Sequence, residues 1–259
     1  MALSDLILAP ATPSNTARVG GVIMPITTSL AKAFGSEPQD GPRKIGSFLM
    51  QSIYQVNTIT SAMFQTSMAG NTLVAALALQ SFGIGITWGD WALAAIVPGI
   101  IALLIMPYFI YKVYPPEIRD AREAQQMIRE ELKGLGKMSF QEWVMLGVFI
   151  LALALWATSQ FTKIDATTVA FLGISILLTT GVLIWDDVKS EKGAWDTLVW
   201  MGTLMGFAGF LSKLGFIKWA TVLVGGYIPE GSWIIAFVIA VLINTYSHYV
   251  FASLTAHIS

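Results

Sequence analysis

Long uncharged stretches alternate with short charged connections along the chain. Residues 45–89 and 91–111 hold no Asp, Glu, Lys, Arg or His, 143–157 are unbroken apolar sequence, and 166–185 carry no charge. A helix needs about 20 mostly apolar residues to cross the roughly 30 Å hydrocarbon layer. The pattern therefore predicts an all-α, polytopic membrane protein. Residues 45–89 are too long for one straight helix and carry Thr66-Ser67-Met68-Ala69-Gly70-Asn71-Thr72 at their middle. That predicts one crossing made of two half-helices around a polar break. Residues 197–227 are interrupted in the same way by Lys213 and Lys218.

The segment 19–31 behaves differently, with only 13 residues between Arg18 and Lys32. At 1.5 Å per residue it covers about 20 Å, too little to span. It is read as an arm of a re-entrant hairpin whose start lies inside the membrane.

Charge supplies the orientation. The connection 112–142 holds Lys112, Arg119, Arg122, Arg129, Lys133 and Lys137, a density that marks the cytoplasmic side. Its acidic residues alternate with the basic ones, which predicts a surface helix laced by pairs at helical spacing. From that anchor 91–111 runs inward, 143–158 outward, 166–185 inward and 197–227 outward, with Trp143 and Trp156 as interface anchors. Residues from Ser232 onward re-enter from outside.

A repeated phrase gives these segments a symmetry. Pro13-Ser14-Asn15-Thr16-Ala17-Arg18 is echoed by Ala252-Ser253-Leu254-Thr255-Ala256-His257. The first phrase is reached from the cytoplasm and the second from outside, which predicts an inverted repeat with re-entrant hairpins and broken helices, as in secondary transporters. The expected division is 1–113 as the end of one repeat, 114–140 as the cytoplasmic amphipathic connector, and 141–259 as the start of the second repeat. The chain reads as the middle of a longer protein, truncated at both ends.

Composition agrees and excludes other classes. Charged residues make up 12% of the chain against about 25% in soluble domains, and the mean hydropathy is +0.66. The absence of cysteine removes disulfides and thiolate metal sites, two histidines are too few for a histidine-rich zinc site, and a net charge of −1 leaves no nucleic-acid footprint.

The phrases also carry the candidate chemistry. Ser14 or Asn15 is placed to cap a helix whose exposed N–H groups and dipole attract anions. Two such tips facing one another would bind a small anion with two negative ends. Moving a carboxylate out of water costs several kcal/mol, while one hydrogen bond to a charged group returns about 1.5–3 kcal/mol. Both tips and several donors are therefore needed. The Asn15 side chain and nearby backbone carbonyls offer oxygens to a cation such as Na⁺. Arg18 is read either as a locally paired or snorkelling residue or as an attractor of anions. His257 is read as a hydrogen-bonding residue ahead of a proton carrier. Asn71, within Gly70-Asn71-Thr72, either completes the first site or bonds a neighbouring helix.

At these residues the chain resembles the divalent anion:sodium symporter family, within it the branch of citrate, succinate or tartrate antiporters and 2-oxoglutarate/malate translocators. The resemblance rests on the two phrases, on Met50-Gln51-Ser52-Ile53-Tyr54-Gln55 and on Tyr246-Ser247-His248-Tyr249, and runs along essentially the whole chain. It implies a homodimeric elevator-type carrier in which a Ser-Asn-Thr motif at each hairpin tip binds substrate carboxylates and borders the sodium sites. Carried over, Ser14, Asn15 and Thr16 form one tip, and Ser253 and Thr255 belong to the other. Arg18, Gly70, Asn71, Thr72 and His257 flank the site, and Ser14, Asn15 and Gly70 are the positions for any Na⁺. No other cofactor is implied. Leu254 stands where the sodium-coupled pattern has asparagine and offers no side-chain oxygen. With a basic residue after each phrase, the site resembles the exchanging members.

The expected function is secondary transport of di- or tricarboxylates (malate, succinate, 2-oxoglutarate, citrate or tartrate) by anion exchange in the bacterial inner membrane, with the plastid envelope as the other location. The expected partners are the substrate, membrane lipid and a second copy, not nucleic acid. Three alternatives stand beside it. A sodium-coupled dicarboxylate or sulfate symporter shares the family. A proton- or arsenite-coupled permease would rely on intramembrane Asp or Glu, which Asp5 alone supplies. A membrane-embedded hydrolase would draw on His248, Ser253 and His257, without an accompanying carboxylate.

Overall fold

A computed structural model describes residues 1–118, 134, 136–225 and 232–250. Among these the regular structure is helical, with no strand. In chain order the principal helices are α1 (Ala2–Leu8), α2 (Asn15–Arg18), α3 (Met24–Ala33), α4 (Gly46–Met63), α5 (Ala69–Phe82), α6 (Trp88–Val113), α7 (Phe140–Ala157), α8 (Ala166–Thr179), α9 (Lys192–Lys213), α10 (Phe216–Gly225) and α11 (Trp233–Ser247). Trp88–Val113, Phe140–Ala157 and Trp233–Val250 are long and apolar enough to cross a membrane. Their large apolar side chains stand mostly exposed, Leu104, Phe140 and Trp233 among them. Such faces suit hydrocarbon rather than water.

Helix starts fall earlier than the apolar pattern predicts. Spans expected from Trp91 and Trp143 begin at Trp88 and Phe140, because the charged residue before each is part of a capping box. Thr87 Oγ1 accepts from the Asp90 N–H at 3.1 Å, and the Asp90 carboxylate accepts from the Thr87 N–H at 3.0 Å. Ser139 and Glu142 repeat the arrangement. Asp165 opens α8 by accepting from the Thr167 N–H at 2.8 Å.

The chain forms two compact units, 1–68 with 87–188, and 69–86 with 189–259. In the first, α4 runs antiparallel to α6. At one end the Glu117 and Ile118 N–H groups donate to the Arg43 and Lys44 carbonyls, and at the other the Trp91 indole donates to the Ala62 carbonyl at 3.0 Å. Gly99 sits where an added Cβ would lie 2.6 Å from Met63 Cγ, so the absence of a side chain lets the helices close up. The core at this end is an aromatic stack, Phe64 on Trp88 at 5.7 Å and Trp88 on Trp156 at 6.4 Å, completed by Val169.

Two lengths differ from expectation. At about 1.5 Å per residue the 18 residues of α4 cover about 27 Å, close to the hydrocarbon thickness. The break after Met63 therefore follows a helix of nearly full spanning length. It occupies 64–68, so Gly70, Asn71 and Thr72 lie within the first turn of α5. The hairpin arm is also longer than the 13-residue apolar run, for helix continues from Asn15 to Ala33 through a π-helical turn at Val19–Ile23. Those 19 residues extend roughly 27 Å. The helix runs through Arg18 because the charge there is neutralised inside the protein.

In the second unit α5 packs against α9, and α9 against α10. The interruption expected near Lys213 is present: α9 ends at Lys213, and Gly215, at φ 78°, turns the chain into α10.

Candidate functional site

The first phrase forms a capped helix start. Ser14 is extended (φ −128°, ψ 111°), and its Oγ accepts from the Ala17 N–H at 3.1 Å. Asn15 Oδ1 accepts from the Thr16 N–H at 2.9 Å. Of the two expected caps, Ser14 takes the role. Ser14 and Thr16 are exposed and Asn15 is half-buried, so the phrase presents hydroxyl, amide and N–H groups outward.

Directly beneath, Arg18 is fully buried. Its Nε donates to Asp5 Oδ1 at 2.9 Å, an ion pair in which both side chains are sealed from solvent. One terminal nitrogen donates to the carbonyls of Thr12 and Ser67, each at 3.1 Å. The other donates to Thr60 Oγ1 at 3.3 Å and Ser61 Oγ at 3.0 Å. A guanidinium carries five N–H donors, and all five are engaged. Thr60 in turn donates to the second Asp5 oxygen. Of the two readings of Arg18, local pairing is the one realised here.

The acceptors are not incidental. Thr12, Phe64 and Met68 are extended, and the helical ladder is interrupted at both breaks. Backbone outside a helix is tolerated at membrane depth only where protein satisfies it. Arg18 serves one carbonyl from each break, and Ser67 Oγ closes the second with its single proton, within reach of the Ser61 and Phe64 carbonyls at 2.6 and 2.7 Å. Thr66 Oγ1 donates to the Pro10 carbonyl at 2.5 Å while accepting from the Trp88 indole at 3.0 Å. The turn before the phrase is thus tied twice to the break after α4.

The remaining candidates divide. Gly70 and Asn71 are buried and Thr72 is exposed in the first turn of α5, which belongs to the second unit. Thr72 Oγ1 donates to the Ala69 carbonyl at 2.7 Å. Ser253, Thr255 and His257 lie outside the described residues. Asp5, Thr60, Ser61 and Ser67 were not singled out as site residues from sequence. Asp5 carried a usable signal, since a lone acid in an apolar segment needs a partner.

Of the positions expected for Na⁺, Ser14 and Asn15 belong to the first unit and Gly70 to the second. Ser14 Oγ and Asn15 Oδ1 each accept from an N–H group of their own turn.

Helices long and apolar enough to cross a membrane, with a polar phrase set on paired breaks, mark an integral membrane protein. The chain belongs to the sodium:sulfate symporter transmembrane region family, which matches residues 1–259. It is 50% identical over 257 residues to the putative malate transporter YflS of Bacillus subtilis, covering 99% of this chain and 54% of that protein. Inner membrane protein YbhI of Escherichia coli is 44% identical over 98% of this chain and 53% of its own length. Dicarboxylate transporter 1, chloroplastic, of Spinacia oleracea is 43% identical over 100% of this chain and 46% of its own length. The chain spans about half the length of the curated relatives it matches.

Proposed function

We propose that the protein to which this chain belongs is a secondary carrier that exchanges dicarboxylate anions across a bacterial inner membrane. The observation that carries this reading is the capped Ser14-Asn15-Thr16 phrase standing outward on a fully satisfied base. Hydroxyl, amide and N–H donors held rigidly at one tip suit one carboxylate, and the second phrase, Ser253 and Thr255, would take the other. Relatives named for malate and dicarboxylate support the substrate class.

Exchange is favoured over sodium coupling by two features. Leu254 lacks a side-chain oxygen, and the oxygens of Ser14 and Asn15 serve their own backbone. The inverted repeat, with 1–113 and 141–259 on either side of the connector 114–140, the elevator motion, the homodimer and the lipid contacts belong to the same proposal. The family's description, naming sodium and sulfate, supports a sodium-coupled symporter as the second reading.

The test is competition in proteoliposomes holding the full-length parent. Labelled malate uptake should be suppressed by succinate, 2-oxoglutarate or tartrate. Suppression by sulfate alone would contradict the reading.

A further inference from the structure

We propose that Asp5 and Arg18 are a positioning pair: through Thr60, Ser61 and Ser67 they set where the Ser14-Asn15-Thr16 tip stands relative to the break after α4, and thereby which length of dicarboxylate fits. The inference rests on the carrier reading above and deepens it.

The argument begins from saturation. Every N–H of the Arg18 guanidinium is used, and the acceptors come from α1, the turn before the tip, α4 and the break that follows it. With its charge neutralised by Asp5 and no donor left over, Arg18 acts on substrate only through what it holds. It holds the tip closely, because it lies four residues after Ser14 and its own N–H donates to the Ser14 carbonyl at 2.9 Å. The other end of the connection is the Ser67 carbonyl, three residues before Gly70 in the chain.

A planar fork with five donors is suited to this task, and an ammonium with three is not. Lysine keeps the charge and can pair with Asp5, but it cannot reach both hydroxyls and both carbonyls. The tip would remain formed and lose its fixed register. A site that matches two carboxylates at a set separation discriminates by length, so a loosened tip narrows the preference between four-carbon and five-carbon dicarboxylates.

The experiment uses the full-length parent in proteoliposomes and measures half-saturation and maximal rate for succinate and glutarate. It compares wild type, Arg18→Lys and Ser61→Ala, each checked for folded yield by size exclusion. Arg18→Lys should raise half-saturation for the preferred acid severalfold and should narrow the succinate-to-glutarate ratio. Ser61→Ala, which removes one acceptor and keeps the ion pair, should shift the ratio in the same direction by severalfold.

A merely structural pair would lower folded yield and maximal rate together and leave the ratio at the wild-type value, which overturns the proposal. If Arg18→Lys does not fold, Ser61→Ala decides alone, and an unchanged ratio there is likewise fatal. Wild-type protein that takes up neither acid defeats the carrier reading itself, a result separable from a transporting wild type with indifferent variants.

Discussion

Arg18 Nε donates to Asp5 Oδ1 at 2.9 Å, and neither side chain is accessible to solvent. The twelve residues between them include Ser14, Asn15 and Thr16, so the pair staples the base of the tip shut. Breaking a buried pair by removing one partner typically costs about 3–5 kcal/mol, because the remaining charge is left uncompensated. Asp5→Asn and Arg18→Gln should each lower the melting temperature of the parent in detergent, and the double variant should lose less than the sum. Strict additivity of the two losses would contradict the pairing.

Ser14 has two assigned roles that one substitution separates. Aspartate is as good a helix cap as serine, but it places a carboxylate where a substrate carboxylate would sit. Ser14→Asp should keep the thermal stability within about 1 kcal/mol of wild type and abolish dicarboxylate uptake. Ser14→Ala should cost about 1 kcal/mol as a lost cap. Retained uptake in Ser14→Asp would remove Ser14 from the substrate site.

The closeness of α4 and α6 predicts a repairable clash. An added Cβ at Gly99 meets Met63 Cγ at 2.6 Å, and Met63 is itself buried. Gly99→Ala should destabilise by about 1–3 kcal/mol, as overpacking does. Thermal unfolding of Gly99→Ala in a Met63→Ala background should recover most of that loss. An equal loss in both backgrounds would show that the contact is not the cause.

Trp88 joins two functions in one residue, stacking between Phe64 and Trp156 and donating to Thr66. Trp88→Phe keeps the ring and loses the bond, for a cost of about 1 kcal/mol. Trp88→Ala loses both, for about 3–5 kcal/mol. Unfolding curves for the two variants should differ by that margin, and equal curves would mean that the stack contributes nothing.

The parts of the fold that depend on local pattern were legible in the sequence. Uncharged length places α6, α7, α8 and α11, the run Thr66 to Thr72 flags the interruption after α4, and Lys213 flags the one between α9 and α10. Ser14 reads as a helix cap because capping is decided within four residues. What could not be read depends on partners distant in the chain. Arg18 reads as the boundary of a 13-residue arm, either paired locally or drawing anions, and only Asp5, Thr60, Ser61 and Ser67 together decide for pairing inside a longer helix. Asp90 and Glu142 looked like span boundaries for the opposite reason, since a charge in a capping box lies inside the helix it starts. The π-helical turn at Val19–Ile23 has no pattern in residue spacing that announces it.

The central claim, exchange of dicarboxylates at a site that includes the Ser14-Asn15-Thr16 tip, is tested most directly by counterflow. The full-length parent would be reconstituted in vesicles with and without internal malate, with and without Na⁺, as wild type and Asn15→Ala. Labelled dicarboxylate should enter only vesicles containing internal malate, regardless of Na⁺, and Asn15→Ala should take up little. Uptake into empty vesicles driven by a Na⁺ gradient, or an Asn15→Ala variant that exchanges as wild type does, would contradict it.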